Sequence, residues 1–363
     1  MMRAFILAVL AVLLVMVFLG AAPRFATADP QAQPRYGTVP SDPDIPYWDL
    51  FNLVLDTLVS DYWSPDGNWD GDMMDDATTF APEALFAWGY ESGDADLVAM
   101  GEQTCLWELE LLDAGFGGDA EALQEAAMGA LALWWGYRYD VDPAFDTYAR
   151  LLPPIVNLIA IPVAEAMADE YWPASTIVGF MAHIDNEVAR YTRADERQRA
   201  LDWAKELIDW AYAEQHDVGT GLFDDGYLMS NGVMLAATAQ YARLANDAAM
   251  EQKARDLFNA MMTELHDGDR GAFWNEPGDN VKHFSKNLMA QRGLIALFEL
   301  TGETVHRDAI LDSLGWMKRD LLGEGLLEHH WTEGIGKAGY VCTGCNFLFL
   351  DNMLHWRRAL SAQ

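Results

Sequence analysis

The chain has 363 residues, 51% of them hydrophobic, and a formal net charge of −33 at pH 7. Phosphate groups would be repelled by this charge, which argues against nucleic acid and anionic membrane surfaces as partners. Three cysteines are too few for a disulfide framework. The CxxC formed by Cys342 and Cys345 leaves three alternatives open: a local disulfide or free structural thiols, no role, or a metal or redox pair.

The first 28 residues have the pattern of a signal peptide. Arg3 precedes an apolar run over Phe5–Leu19, and Ala26, Thr27 and Ala28 fit a small-x-small cleavage site. The alternative is an uncleaved N-terminal anchor. Either way we expect export to a secreted or periplasmic location, with no stable membrane association after cleavage. Residues 29–46 are proline-rich and predict an extended lead-in segment, which leaves residues 47–363 as one domain.

Helical periodicity dominates that domain. The expected helices, in chain order, are Tyr47–Trp63, Thr78–Glu91, Ala95–Asp113, Ala120–Tyr137, Pro143–Ala168, Pro173–Tyr191, Asp195–Gln215, Ser230–Leu244, Ala248–Leu265, Phe284–Leu300, Thr304–Leu322 and Gly344–Leu360. Helices that are apolar on most sides alternate with amphipathic ones, as expected for an inner ring inside an outer ring. We therefore predict an all-α fold, an (α/α)6 toroid of six helical hairpins.

One plan, a glycine-rich loop followed by two helices, recurs along the chain. Its copies are Gly221–Asp247, Gly271–Glu303 and Gly325–Trp356, with a more diverged copy at Gly67–Asp94. A repeat of this length predicts an array of equivalent units, so the loops should gather at one end. That end is where a functional site is expected.

Two aspartate pairs are candidates for chemistry at that end. Asp75 and Asp76 stand at the entry to the second helix, where adjacent carboxylates can share one proton, as glycosidic acid/base chemistry requires. The alternative is a helix N-cap. Asp224 can form a second acidic wall, whereas Asp225 before Gly226 favours a turn.

Aromatic and polar loop residues suit a sugar, because indole rings stack on the apolar faces of sugar rings. Trp134, Trp135 and Trp210 lie inside predicted helices and are expected in the core. The predicted substrate-binding residues are Trp69, Trp172, Asp224, Tyr227, Asn231, Trp274, Glu276, His283 and Trp331. Trp63, Arg292, His329, His330 and Glu333 are near them in sequence, but His329 and His330 lack the i,i+4 spacing of a helical zinc pair, so no zinc site is predicted.

A calcium loop is the one metal site that the sequence suggests. Asp66, Asn68, Asp70 and Asp72 match the first half of a D-x-N-x-D-G calcium loop, although Ala77 stands where the bidentate glutamate belongs. The alternative is a solvated acidic loop. No other cofactor is expected.

Two segments resemble a known family. GLFDDG…SNGVMLAATAQYARLAND is similar to the glycine-loop and helix segment of bacterial and fungal α-1,6-mannanases, glycoside hydrolase family seventy-six, and MMDDATTFAPEALFAWGY resembles that family's paired-aspartate helix. The resemblance implies the toroid fold, a glycan substrate, and Asp75 and Asp76 as nucleophile and acid/base.

The chain departs from that family at two places. Thr78, Thr79 and Phe80 replace the tryptophan after the aspartates, and Ser230 and Gly232 flank Asn231 where the family has Tyr-Asn-Gln-Gly. We expect an exported glycoside hydrolase acting on an α-mannan-like oligo- or polysaccharide. A non-catalytic glycan- or partner-binding toroid, a sugar epimerase and an unsaturated uronyl hydrolase remain alternatives.

Overall fold

The computed structural model describes residues 45–69, 76–114, 132–136, 138, 157, 160–161, 164–165, 173–192 and 194–362. Its helices are α1 (Trp48–Thr57, extended by a π-helical turn at Leu58–Tyr62), α2 (Asp76–Ser92), α3 (Ala95–Ala114), α4 (Ala174–Tyr191), α5 (Ala194–Glu214), α6 (Leu228–Ala245), α7 (Ala248–Glu264), α8 (Phe284–Thr301), α9 (Thr304–Trp316, extended by a π-helical turn at Met317–Leu321) and α10 (Thr343–Ser361). Most of the predicted helices Ala120–Tyr137 and Pro143–Ala168 lies outside the described residues.

Short strands occupy the loops at one end. β1 (His216–Asp217) pairs antiparallel with β2 (Leu222–Phe223), and β3 (Val281–His283) pairs with β4 (His330–Thr332), which pairs with β5 (Gly336–Lys337). Asp224–Gly226 forms a 3₁₀ turn.

The inner and outer helices differ in their pattern of burial. α6 is buried on nearly every side, from Leu228 through Ala242. In α5, by contrast, the buried Leu201, Ala204, Leu207 and Ala211 recur at three- and four-residue spacing, and the opposite side is polar. α5 therefore covers the ring from outside while α6 forms part of it.

The inner ring consists of α2, α4, α6, α8 and α10 in the described residues. α4 packs on α6, α6 on α8, α8 on α10, and α10 packs back on α2, so the last helix closes the ring on the first inner one. Glycines allow the closest approach, between α6 and α8. A Cβ atom added at Gly232 would lie 2.5 Å from the Ala290 nitrogen, and one at Gly293 would lie 2.9 Å from the Gly232 oxygen.

The loop repeat has a common backbone geometry in all four copies. Gly67, Gly221, Gly271 and Gly325 have φ values of 98°, 75°, 73° and 112°, a region that favours glycine. The residue two positions after each glycine pairs, as in an antiparallel β-sheet, with a residue just after the preceding helix. The four pairs are Trp63–Trp69, His216–Phe223, His266–Phe273 and Leu322–Leu327. The repeat, including the diverged copy at Gly67, is confirmed.

Three equivalent asparagines fix these loops to the inner helices. The Asn231 side chain accepts a hydrogen bond from the Phe223 N–H (2.9 Å) and donates to the Phe223 and Tyr227 carbonyls. Asn287 makes the same three bonds to Phe273 and His283, and Asn346 makes them to Leu327 and Cys342. The loops that contain Gly221, Gly271 and Gly325 are therefore held against the first turns of their inner helices.

This arrangement is the all-α toroid that the sequence predicted. Among the described residues, no helix combines the length and the apolar character needed to cross a membrane. The predicted signal peptide 1–28 and most of the lead-in segment 29–46 lie outside the described residues, so both stay predictions. The first described helix begins at Trp48, one residue after the predicted start of the domain.

Candidate functional site

A cavity that is partly open to solvent lies on the axis of the inner ring. Early turns of the inner helices contribute Phe80, Phe180 and Leu348, which form an apolar collar. Later turns contribute ionisable side chains. The full lining is Phe80, Glu83, Trp135, Phe180, His183, Ile184, Glu187, Met289, Arg292, Leu348 and Asp351.

Beneath the collar is a buried charged cluster, the axial floor, made of Glu83, Arg292, Asp351, His355 and Arg358. The Arg292 guanidinium pairs with the Asp351 carboxylate, and its Nε donates to the Asn352 Oδ1 at 2.7 Å. His355 Nε2 lies 3.0 Å from Glu83 Oε1 and 3.5 Å from Asp351 Oδ1. Arg358 Nη1 reaches Glu83 Oε1 at 3.3 Å. Two carboxyl groups and two guanidinium groups therefore meet around one imidazole.

Burial sets the protonation of this floor. It raises the pKa of Asp351 to about 6, against the opposing effect of Arg292. Burial, followed by the charge of Arg292, holds the pKa of His355 well below its ordinary value, so that imidazole is neutral. A carboxyl group that titrates near neutral pH can transfer a proton under physiological conditions.

On the side of the cavity formed by α4, a series of hydrogen bonds links three more polar side chains. His183 Nδ1 is 2.8 Å from Gln240 Oε1, and Gln240 Nε2 donates to Glu187 Oε1 at 2.9 Å. Burial and then Arg292 lower the pKa of His183. Burial alone would raise the pKa of Glu187, but neighbouring positive charge, first that of Arg190, outweighs it and lowers that pKa. The cavity thus contains a neutral imidazole beside an ionised carboxylate and a guanidinium.

Asp224 lies where α4 and α6 begin. Its carboxylate is hydrogen-bonded to the Ser175 hydroxyl, and burial raises its pKa against the hydrogen bonds from Ser175 and Ser230. The side chain is half-buried, so it retains access to solvent. The neighbouring Tyr227 is buried, and the Lys286 ammonium lies 4.3 Å from its ring centroid.

Three residues predicted to bind substrate are occupied by protein contacts. Asn231 is fully buried, and both of its amide N–H groups and its oxygen are used in holding the loop. Trp69 is 1% exposed, packs edge-on against Phe347 and donates to the Thr104 hydroxyl at 3.3 Å. Trp331 is 7% exposed. The structure therefore gives these side chains packing and loop-holding roles, and their contact with a substrate stays a prediction.

Trp274, Glu276 and His283 remain accessible. Trp274 is half-buried, 4.3 Å from the Lys282 ammonium, and Glu276 is exposed. His283 is half-buried and immediately precedes α8. Contact of these three residues with a substrate stays a prediction.

The remaining predicted residues are only partly described. Asp70, Asp72, Asp75 and Trp172 lie outside the described residues, and Asp76 is described only as the first residue of α2. In the proposed calcium loop, the exposed Asp66 carboxylate accepts from the Asn68 N–H at 3.4 Å, and Asn68 Oδ1 accepts from the Trp69 N–H at 2.7 Å. Calcium binding and the catalytic roles of the aspartates stay predictions.

A histidine cluster that sequence spacing did not indicate is formed by His283, His329 and His330. Their ring nitrogens lie within 4.8 Å of one another, and their ring centroids are 5.0, 5.2 and 5.4 Å apart. Burial, with Lys286 and the two other imidazoles, lowers the pKa of His283 to about 3. The strand register that pairs His283 with His330 brings the three together.

Cys342 and Cys345 form a disulfide with a Cα–Cα distance of 5.3 Å. It joins the residue before α10 to the first turn of that helix, where the Cys345 N–H also donates to Cys342 Sγ at 3.1 Å. Of the alternatives that the sequence left open, the structure has the local disulfide. The third cysteine, Cys105, is a buried thiol.

Sequence reasoning missed most of the axial floor and also Glu187 on the wall of the cavity. Asp351 and His355 stand in the apolar stretch NFLFLDNMLHW, and Glu187 stands in the largely apolar α4. These residues could have been found as ionisable residues on helices that are apolar on every side. Such a residue is buried, and a buried charge requires a partner. Only Arg292 among these residues was named from the sequence.

No family model matches the chain, and no curated protein matches it. Solved structures do match it in fold. The α-1,6-mannanase GH76A from Salegentibacter sp. HEL1_6 superposes with a TM-score of 0.63 at 13% identity, over 86% of this chain and 99% of the other. An inactive variant of that enzyme, with two consecutive aspartates replaced by asparagine, was solved in complex with α-1,6-mannotriose.

Two isomerising enzymes are similar to the same degree. Cellobiose 2-epimerase from Bacillus thermoamylovorans B4167 gives a TM-score of 0.65 at 13% identity, covering 86% of this chain and 99% of the other. A D-mannose isomerase gives 0.63 at 11% identity, covering 87% and 97%. At these identities the comparisons establish the fold, and the resemblance to the mannanase architecture is confirmed at that level.

Proposed function

We propose that the protein is a glycan-processing enzyme, a glycoside hydrolase in which Asp75 and Asp76 act on an α-mannan-like chain. One observation carries the proposal. The inner helix that begins at Asp76 also supplies Phe80 and Glu83, four and seven residues later, to the lining of the axial cavity. Positions 76, 80 and 83 share one face of a helix, which supports a role for the aspartate pair at the entrance of that cavity.

The chemistry of the cavity agrees with a sugar ligand. Phe80 and Phe180 offer apolar surface of the kind that packs on a sugar ring, and His183, Arg292 and Asp351 offer hydrogen-bonding groups below it. Similarity of fold to a mannanase that loses activity when two consecutive aspartates are replaced adds support. We also propose export, because the N-terminal segment has the pattern of a signal peptide.

In this mechanism one aspartate protonates the glycosidic oxygen while the other, ionised, attacks the anomeric carbon or activates water. Adjacent carboxyl groups favour this division, since charging the first raises the pKa of the second. A carboxyl separation of about 5–5.5 Å corresponds to retention of the anomeric configuration, and about 6.5–9.5 Å to inversion. Asp224, with its raised pKa, is the proposed acidic wall opposite the pair.

The test is hydrolysis of α-1,6-mannotriose and α-1,6-mannotetraose by the mature protein, with product detection by mass spectrometry. We expect Asp75→Asn and Asp76→Asn each to lower kcat by at least ~10²-fold, the usual scale for acid/base groups. Asp225→Asn is the matched control, since Asp225 is an exposed loop aspartate, and it should retain activity. Oligosaccharide binding without product in the unmodified protein would favour a non-catalytic toroid.

The second candidate is a sugar epimerase or isomerase. It is favoured by the pairing of a neutral imidazole, His183, with the Arg292 guanidinium in one cavity, because a base and an oxyanion partner suffice to move a proton next to a carbonyl group. In D₂O such a reaction would yield an isomer of the substrate in which one hydrogen on carbon has been replaced by a deuteron from the solvent. Hydrolysis would instead add water and break the chain. His183→Gln should abolish deuteron incorporation if this candidate is correct.

A further inference from the structure

The histidine cluster at the loop end of the toroid brings three imidazoles to one point from two strands. His329 Nδ1 and His330 Nδ1 are 3.1 Å apart, and the Tyr340 hydroxyl is also 3.1 Å from His329 Nδ1. Ligands of a tetrahedral zinc ion lie ~2.0–2.1 Å from the metal and hence roughly 3.3 Å from one another. The spacing of these two nitrogens is therefore close to that of two ligands on one ion.

The backbone holds all three histidines in place. His283 and His330 are partners in the β3–β4 ladder, and the His330 carbonyl accepts from the Ala338 N–H at 3.0 Å. The His329 carbonyl accepts from the Phe284 N–H at 2.8 Å, and the His329 N–H donates to the Tyr340 carbonyl at 3.0 Å. A site whose ligands are fixed by hydrogen-bonded strands loses little entropy when an ion binds.

We propose that His283, His329 and His330 bind a divalent first-row transition metal ion, zinc in the first instance, with the fourth position left to water or to the Tyr340 hydroxyl. Three imidazole nitrogens are a donor set for zinc, copper, nickel and cobalt and a poor one for calcium or magnesium. All three rings are half-buried, so an ion can reach them from solvent. The ion joins β4 to β3 at the start of α8.

The second group of potential metal ligands, Glu83, Asp351 and His355, has the same compactness but different surroundings. Arg292 pairs with Asp351 and Arg358 with Glu83, so its negative charges are already balanced by guanidinium groups. A divalent cation there would face two positive side chains inside the protein. The inference therefore applies to the histidine cluster.

Binding is tested on the full mature protein, carrying an affinity tag without histidine, by dialysis against Zn²⁺ followed by elemental analysis and by titration against a chromogenic chelator. We expect one equivalent of zinc. His283→Gln, His329→Gln and His330→Gln should each weaken binding by at least ~100-fold. Tyr340→Phe should weaken it by ~10-fold or more, because the Tyr340 hydroxyl either fills the fourth position or contacts His329, and loss of a residue that supports a ligand typically costs ~10–100-fold in metal affinity.

His216→Gln and His355→Gln are the controls. His216 stands in the equivalent loop of an earlier repeat, and His355 belongs to the axial floor. Both variants should still bind one equivalent of zinc. Zinc that survives His283→Gln, or that disappears with His355→Gln, would overturn the assignment, as would the lack of stoichiometric binding by the unmodified protein.

A measurement on the unmodified protein covers the case in which a variant does not fold. With one equivalent of Cu²⁺, electron paramagnetic resonance should show hyperfine coupling to imidazole nitrogens, and with Co²⁺ the visible spectrum should have the intense bands of a four-coordinate site. A copper spectrum without nitrogen coupling would contradict the proposal. Neither readout depends on enzymatic activity, so this inference and the proposed function can fail separately.

Discussion

The axial floor and the histidine cluster contain similar donor atoms in opposite settings. Each has three potential metal ligands within 4.8 Å, buried in one case and half-exposed in the other. In the floor, Arg292 and Arg358 neutralise the carboxyl groups through ion pairs. In the histidine cluster the potential ligands are imidazole rings on backbone segments held by hydrogen bonds.

The difference indicates how each region is stabilised. The floor depends on pairwise charge balance among buried groups, where an unpaired ion is costly. The histidine cluster depends on the strands and on the asparagines that hold the loops. Removing a single charge should therefore damage the floor, whereas the loop end should respond to loss of backbone support.

The largest effect is expected from Arg292→Met. This change leaves the Asp351 carboxylate buried without its guanidinium partner, and breaking a buried pair in this way typically costs ~3–5 kcal/mol. Urea denaturation followed by circular dichroism measures the free energy of unfolding. The double variant Arg292→Met/Asp351→Leu should recover most of the loss, since a buried pair replaced by apolar side chains is often neutral. If the double variant is no more stable than the single one, the pairing account of the floor is wrong.

A smaller effect concerns pH. Because burial raises the pKa of Asp351 from its ordinary value of 3.8 to about 6, the folded state binds the proton of this carboxyl group more tightly than the unfolded state does. Its contribution to stability is therefore complete below pH ~4 and is lost as pH rises through ~6, by roughly 3 kcal/mol at most. The free energy of unfolding can be measured by chemical denaturation at a series of pH values. In the Asp351→Asn variant it should change less between pH ~4 and ~6 than in the unmodified protein. Equal slopes in the variant and the unmodified protein would exclude Asp351 as the titrating group.

The smallest effect is expected at the loop end, from Asn287→Ala. The change removes three hydrogen bonds to Phe273 and His283 and leaves buried backbone groups without partners, at a cost of ~1–3 kcal/mol. Amide hydrogen exchange should accelerate at Phe273 and the surrounding loop, while amides of α10 near the axial floor keep their protection. Asn259→Ala, on the exposed side of α7, is the control. Unchanged exchange at Phe273 would show that the loop does not need this asparagine.

The sequence predicted the regular features of this fold and little of its interior chemistry. Periodicity located α6 and α8 because their apolar pattern is local, and the glycine repeat located Gly67, Gly221, Gly271 and Gly325 because each needs the same backbone conformation. The pairing of Glu83 with His355 joins residues 272 positions apart, and no local pattern contains that information.

Asn231 illustrates a second limit. Its residue type and its place at a helix entry suited a ligand, but the same position recurs as Asn287 and Asn346, each bonded to its own loop. In each of these three units the asparagine holds the glycine-rich loop, and its recurrence in the sequence indicates this structural role. The histidine cluster shows the converse, since its members come from unlike positions of two loops and only the strand register brings them together.

Closure of the ring by α10 against α2 has a consequence for synthesis. Glu83 leaves the ribosome 272 residues before its partner His355 and 275 residues before Arg358. At ~5–20 residues per second, the nascent protein carries Glu83 without those partners for roughly 14–54 seconds. The ring can close only after α10 has been synthesised, so a chain that stops before α10 lacks the helix that joins the two ends of the ring.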